Sequence, residues 1–150
     1  MRHYDRGEKR LDHKWGADKA GFESFGKRIK GKCPTTITNK PGLAEQLLNE
    51  GVPYPDKESP EAIYNVHEGV IYRAEQTLAS DDSWHGFPEM EEGKRRVPRE
   101  VLTSLMKSAI TSGHHKEFRD WMESKLPVTW KNNKFSGEFR KAMMARGKQS

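Results

Sequence analysis

Four side chains in the middle of the chain have the types that phosphodiester chemistry needs: His67, Arg73, His85 and Glu89. Cleaving RNA without a metal requires a base for the 2′-hydroxyl, an acid for the leaving oxygen and a cation facing the phosphorane. Imidazoles titrate near neutral pH and serve either proton role. A guanidinium matches phosphate geometry. His67 falls between two runs rich in Ile, Val and Tyr, Arg73 lies in the second run, and His85 and Glu89 belong to SWHGFPE at 83–89. A sheet that turned all four to one face would make a catalytic set of them. The plainer expectation for SWHGFPE is packing, with Trp84 and Phe87 in the core, His85 hydrogen-bonded at a corner, and Gly86 and Pro88 fixing a bend.

A second group suits binding rather than catalysis. KRRVPR at 94–99 is the densest basic cluster, with Lys94, Arg95, Arg96 and Arg99 at the start of a helix whose first amides favour phosphate. Trp84 is a candidate stacking platform beside them, as are Trp15, Phe22 and Trp130. Arg2, Arg6, Arg10, Lys27, Arg28, Lys30 and Lys32 extend the basic surface along the N-terminal segment.

Other chemistries lack their signatures. No glycine-rich loop ends in Gly-Lys-Ser/Thr, no dinucleotide fingerprint follows a strand, and neither a serine-hydrolase elbow nor a zinc-protease histidine pair occurs. The paired His114 and His115 depart from metal-dependent nucleases, whose pair sits on a strand and is followed by Asn and another His. A single cysteine, Cys33, makes neither an internal disulfide nor a thiolate metal cluster. No metal and no cofactor are therefore expected.

The elements that must position these groups read as α+β. Residues 1–32 read as a loosely ordered basic arm, with a frayed helix from Asp18 to Lys30 as the only regular candidate, and 33–150 as one domain. Folded structure is expected to start near the turn-rich 32–42. LAEQLLNEG predicts a short helix over 43–51 stopped by Gly51, and the three prolines of 52–62 predict an extended loop. Residues 62–77 predict a hairpin turning at His67-Glu68-Gly69. SWHGFPE adds a third strand that Gly86 and Pro88 break, giving a three-stranded antiparallel sheet. Helical spacing then recurs over 98–112, 115–126 and 136–145, with 128–135 as a loop.

Charge and composition bound the function. The net charge of +5 is unevenly spread: residues 1–40 carry +6, 41–93 carry −10 and 94–150 carry +9. Hydrophobic residues make up 33% and mean hydropathy is −1.01, so no membrane span is expected. The basic N-terminal stretch has no apolar run behind it and does not read as a secretory signal, which points to a cytoplasmic site of action. Basic ends around an acidic middle either neutralise one another or leave a surface for a polyanion. The profile of a compact basic domain with a His-bearing sheet is similar to small bacterial toxin-type ribonucleases, a likeness that carries no aligned motif and transfers no catalytic residue. Nucleic acid, with RNA favoured, is the expected partner, and an acidic inhibitor or other protein partner is a further one. The alternatives are a non-catalytic RNA- or DNA-binding component of a larger assembly, of bacterial or phage type, and a protein–protein adaptor using the acidic middle.

Overall fold

A computed structural model describes residues 2–4, 20–25, 28–32, 37, 42–78 and 82–148. The fold is α+β, and the chain divides into two compact units: Met1–Asn65 with Tyr72–Glu89, and Val66–Ile71 with Met90–Ser150.

Most of the first unit's framework is a five-stranded mixed sheet in the order β1-β7-β6-β5-β4, of which only residues 66–67 and 70–71 are counted with the second unit. These strands are β1 (His3–Tyr4), β4 (Val52–Tyr54), β5 (Ala62–His67), β6 (Val70–Leu78) and β7 (Ser83–Pro88). The expected three-stranded antiparallel sheet is thus too small by two edge strands, and one of these, β1, runs parallel to β7. Pro53 argued for a loop, yet it pairs with Ile63 because β4 is an edge, where a missing N–H need not break a ladder. β7 also runs through Gly86 to Pro88, so those residues do not break the strand as expected. A separate hairpin pairs β2 (Gly21–Phe25) with β3 (Arg28–Lys32). These strands replace the helix expected over 18–30. The remainder of the predicted basic arm, with Arg6, Arg10, Trp15 and Lys27, and most of the 32–42 turn lie outside the described residues.

Side-chain alternation explains the core of this sheet. Ile63, Ala74 and Trp84 face one side and pack with Leu48 of α1 (Leu43–Asn49), and Tyr4 closes the edge. Asn49 fastens β1 to the helix: its Oδ1 accepts from Arg2 N–H at 2.9 Å and its Nδ2 donates to Arg2 O at 3.0 Å. The β5–β6 turn uses Glu68 at φ 51° and Gly69 at φ 84°, the two positive values a tight hairpin needs.

The second unit is helical: α2 (Arg99–Thr111), α3 (His115–Lys125) and α4 (Phe135–Lys148). Helical spacing puts Val101, Leu102, Leu105, Met106, Ala109 and Ile110 on one face of α2 and Phe118, Trp121, Met122 and Leu126 on one face of the next helix; all are buried except Ile110, which is half-buried. Where a loop was expected, Val128–Asn132 forms one turn of π-helix. Its amides have a carboxylate to receive them: Glu91 Oε1 accepts from Val128 N–H at 2.7 Å and Thr129 N–H at 3.2 Å. Phe118 and Trp130 both pack on Phe139, with ring centres 6.1 and 5.5 Å apart.

Candidate active site on the first-unit sheet

Register decides which polar side chains meet. On β6, Arg73, Glu75 and Thr77 alternate onto the face opposite Ala74, and β7 pairs Phe87 with Arg73 and His85 with Glu75. Glu75 and His85 are therefore direct cross-strand neighbours, for which Cβ atoms lie roughly 5 Å apart. His85 Nδ1 is hydrogen-bonded to the Thr77 hydroxyl at 2.9 Å, which orients the ring, and Phe87 stands 6.0 Å away on the same strand.

Arg73 is the hub. Its Nε donates to Glu75 Oε1 at 3.0 Å, its Nη1 donates to the Tyr64 hydroxyl, and its guanidinium lies over the Tyr64 ring at 5.4 Å. The same Nη1 is 3.9 Å from Glu89 Oε2, a carboxylate with only 3% of its side chain exposed. Burial by itself would lower the Arg73 pKa. The negative potential of Tyr64, Glu89 and Glu75 outweighs it and leaves the pKa raised, so the guanidinium is firmly cationic. The side chain keeps 14% exposure, while Glu75 keeps 39%.

Of the four residues nominated for catalysis, Arg73 and Glu89 come together and His85 shares their sheet face. His67 ends β5 at the hairpin turn, is counted with the second unit, and has Nε2 3.7 Å from Glu68 Oε1. Glu75, Thr77 and Tyr64 were missed. Alternation along β6 from Arg73 would have found Glu75 and Thr77, whereas Tyr64 depends on the pairing of β5 with β6.

The nominated binding residues divide as well. Trp84 is 1% exposed, and its ring is spent on the core, so it offers no face to a base. Its indole N–H donates to Asp82 Oδ1 at 2.7 Å. Arg96 is held at 2.7 Å by Glu91 and also donates to the carbonyls of Gly93 and Arg95. Arg99 engages Glu138 at 2.7 Å and the Asn133 carbonyl at 2.6 Å and covers the Phe135 ring. Two of the four cations in KRRVPR, Arg96 and Arg99, thus brace the second unit. Arg28, Lys30 and Lys32 are placed by backbone alone, in β3.

His114 caps α3 and has Nδ1 3.7 Å from Glu117 Oε2, and His115 Nδ1 is 3.3 Å from Arg146 Nη1. No group of three or more His, Cys, Asp or Glu able to hold a metal occurs among the described residues. Also among them, no helix is long and apolar enough to cross a membrane. No family model, curated protein or solved structure matches the chain.

Proposed function

We propose that the protein acts on nucleic acid and that the β6–β7 face carries a metal-independent ribonuclease site. Support comes from one observation: Glu75 and His85 are register partners, and Arg73 is bonded to Glu75. A carboxylate, an imidazole and a guanidinium are the base, acid and cation that 2′-hydroxyl attack requires. The Glu75 carboxylate takes the 2′-hydroxyl proton as the 2′-oxygen bonds to phosphorus. The bond from phosphorus to the 5′-oxygen breaks, and the His85 imidazolium delivers its proton to that oxygen. The products are a 2′,3′-cyclic phosphate and a free 5′-hydroxyl. Arg73 faces the non-bridging oxygens, and buried Glu89 with Tyr64 holds it in position.

RNA of defined sequence incubated with the protein in EDTA tests this directly. Wild type should release cyclic-phosphate ends, and His85→Ala and Glu75→Gln should each slow release by about 10²–10⁴-fold, the usual contribution of a proton-transfer group. Uncleaved RNA with wild type, in EDTA and in Mg²⁺ alike, would retire the catalytic assignment. A non-catalytic nucleic-acid-binding role is the second reading. What favours it is the charge of the second unit, where fourteen Lys and Arg stand against eight Asp and Glu.

A further inference from the structure

The positive charge of this protein is concentrated in one unit. The second unit carries +6, whereas the first, with thirteen basic and fourteen acidic residues, carries −1. Within the second unit, the sequence pointed to KRRVPR, but Arg96 and Arg99 already have carboxylate partners at 2.7 Å. A different set of cations surrounds a groove of about 740 Å³ between α3 and α4. Lys116 and Arg119, one helical turn apart, line it from α3, and Arg140 lines it from α4. All three are exposed. Among the described residues Lys116 and Arg140 have no ion-pair partner, and Arg119 has only the exposed Asp120 at 3.7 Å. Glu123 is the one carboxylate in the lining. Trp130 and Phe139 also line the groove but are only 6% and 8% exposed, so they offer little ring surface for stacking.

We infer that this groove is a second binding site, and that its ligand is the phosphodiester backbone of single-stranded RNA. The inference rests on the nucleic-acid reading above and assigns binding to residues of the second unit that are not among those proposed for cleavage. Three cations on two helices match a run of phosphates, and the burial of the two lining rings, Trp130 and Phe139, leaves little to stack on and predicts little preference among bases. An acidic peptide could satisfy the charges too, and the test separates the two.

The experiment is fluorescence anisotropy with a labelled single strand of 2′-O-methyl RNA, which lacks the attacking hydroxyl and stays intact whatever the cleavage activity. The full chain is titrated over a salt series, beside a Lys116→Gln/Arg119→Gln/Arg140→Gln variant and a Lys94→Gln/Arg95→Gln variant. Because every substituted side chain is exposed, circular dichroism should report a native fold in both. The groove variant should bind at least tenfold more weakly at low salt. Its slope of log K against log salt should fall by about 2, since each phosphate contact on a single strand contributes about 0.7. The loop variant should lose much less. Equal affinity and slope for wild type and groove variant would overturn the site while leaving cleavage by the sheet face standing. Failure of wild type to bind the strand, or capture of a poly-glutamate peptide at equal affinity under the same salt, would overturn the ligand assignment. Cleavage of unmodified RNA, measured separately, reports on the sheet face alone.

Discussion

Gly69 and Gly113 have nearly the same backbone angle, φ 84° and 82°, and sit in different surroundings. A Cβ on Gly69 would stand 2.5 Å from Glu117 Cβ and 2.6 Å from Phe118 N, whereas one on Gly113 would meet nothing within 4 Å. Gly113→Ala should therefore cost about 1 kcal/mol, the left-handed penalty alone. Gly69→Ala should cost roughly 2–4 kcal/mol, because backbone must move as well. Urea melts of the two variants check the difference, and equal costs would mean that the Gly69 contact is easily relieved. Arg73 offers a second residue-scale prediction. Its pKa is raised in the fold, so its stabilisation is complete below the unfolded value and is lost only as pH climbs through the still higher folded value. Arg73→Met should thus cost roughly 3 kcal/mol, largely by removing the cation that faces the buried Glu89 carboxylate, with the same cost at about pH 7 and pH 9. Chemical denaturation at both pH values measures it, and a cost that fades toward pH 9 would contradict a permanently charged Arg73.

Among the elements, the π-helical turn depends most visibly on a distant partner. Glu91 receives two of its amides and the Arg96 guanidinium, and the Glu91 N–H in turn donates to the Lys125 carbonyl at 2.9 Å. Glu91→Ala should lower the stability of the second unit by roughly 2–3 kcal/mol, as expected when hydrogen bonds to a charged acceptor are lost. Exchange of the Val128 and Thr129 amides should quicken most, and unchanged protection at those two positions would show that the turn holds without its clamp. The α2–α3 junction, by contrast, needs nothing distant. Gly113 N–H donates to Ile110 O at 3.1 Å and His114 N–H to Ala109 O at 2.8 Å, a self-contained helix ending set by one glycine. That is why the sequence alone marked this boundary and not the π-turn.

Over the whole molecule, each unit has buried apolar side chains of its own. Leu48, Ile63, Ala74 and Trp84 hold the first, while Phe118, Met122 and Phe135 are fully buried in the second. Leu48→Ala should cost roughly 2–5 kcal/mol, and the loss should fall on the first unit. In native-state hydrogen exchange, the amides of Trp84 and Ala74 should lose protection while those of Leu105 and Met106 keep it. Uniform loss through both groups would mean that the chain unfolds as one body.

What the sequence determined was whatever is written within one local period: the apolar stripes of α2 and α3, the glycine ends of α1 and α2, and a hairpin turn within His67-Glu68-Gly69, of which His67 proves to end the strand. The net basic character of the 94–150 segment was equally plain, because charge is counted without knowing the fold. Tertiary structure alone decided the edge strands, since two residues of β1 and a proline-bearing β4 carry no alternation to read. It also decided the candidate site. Arg73 and Glu89 were legible as chemical types, but Glu75 faces His85 only because β7 pairs with β6 in one register, and a shift of one residue would turn His85 to the opposite face. Which arginines brace the fold and which line the α3–α4 groove depends in the same way on carboxylates far away in sequence. Glu138 lies beside Arg99 through the packing of helices, and packing is not a local property of the chain.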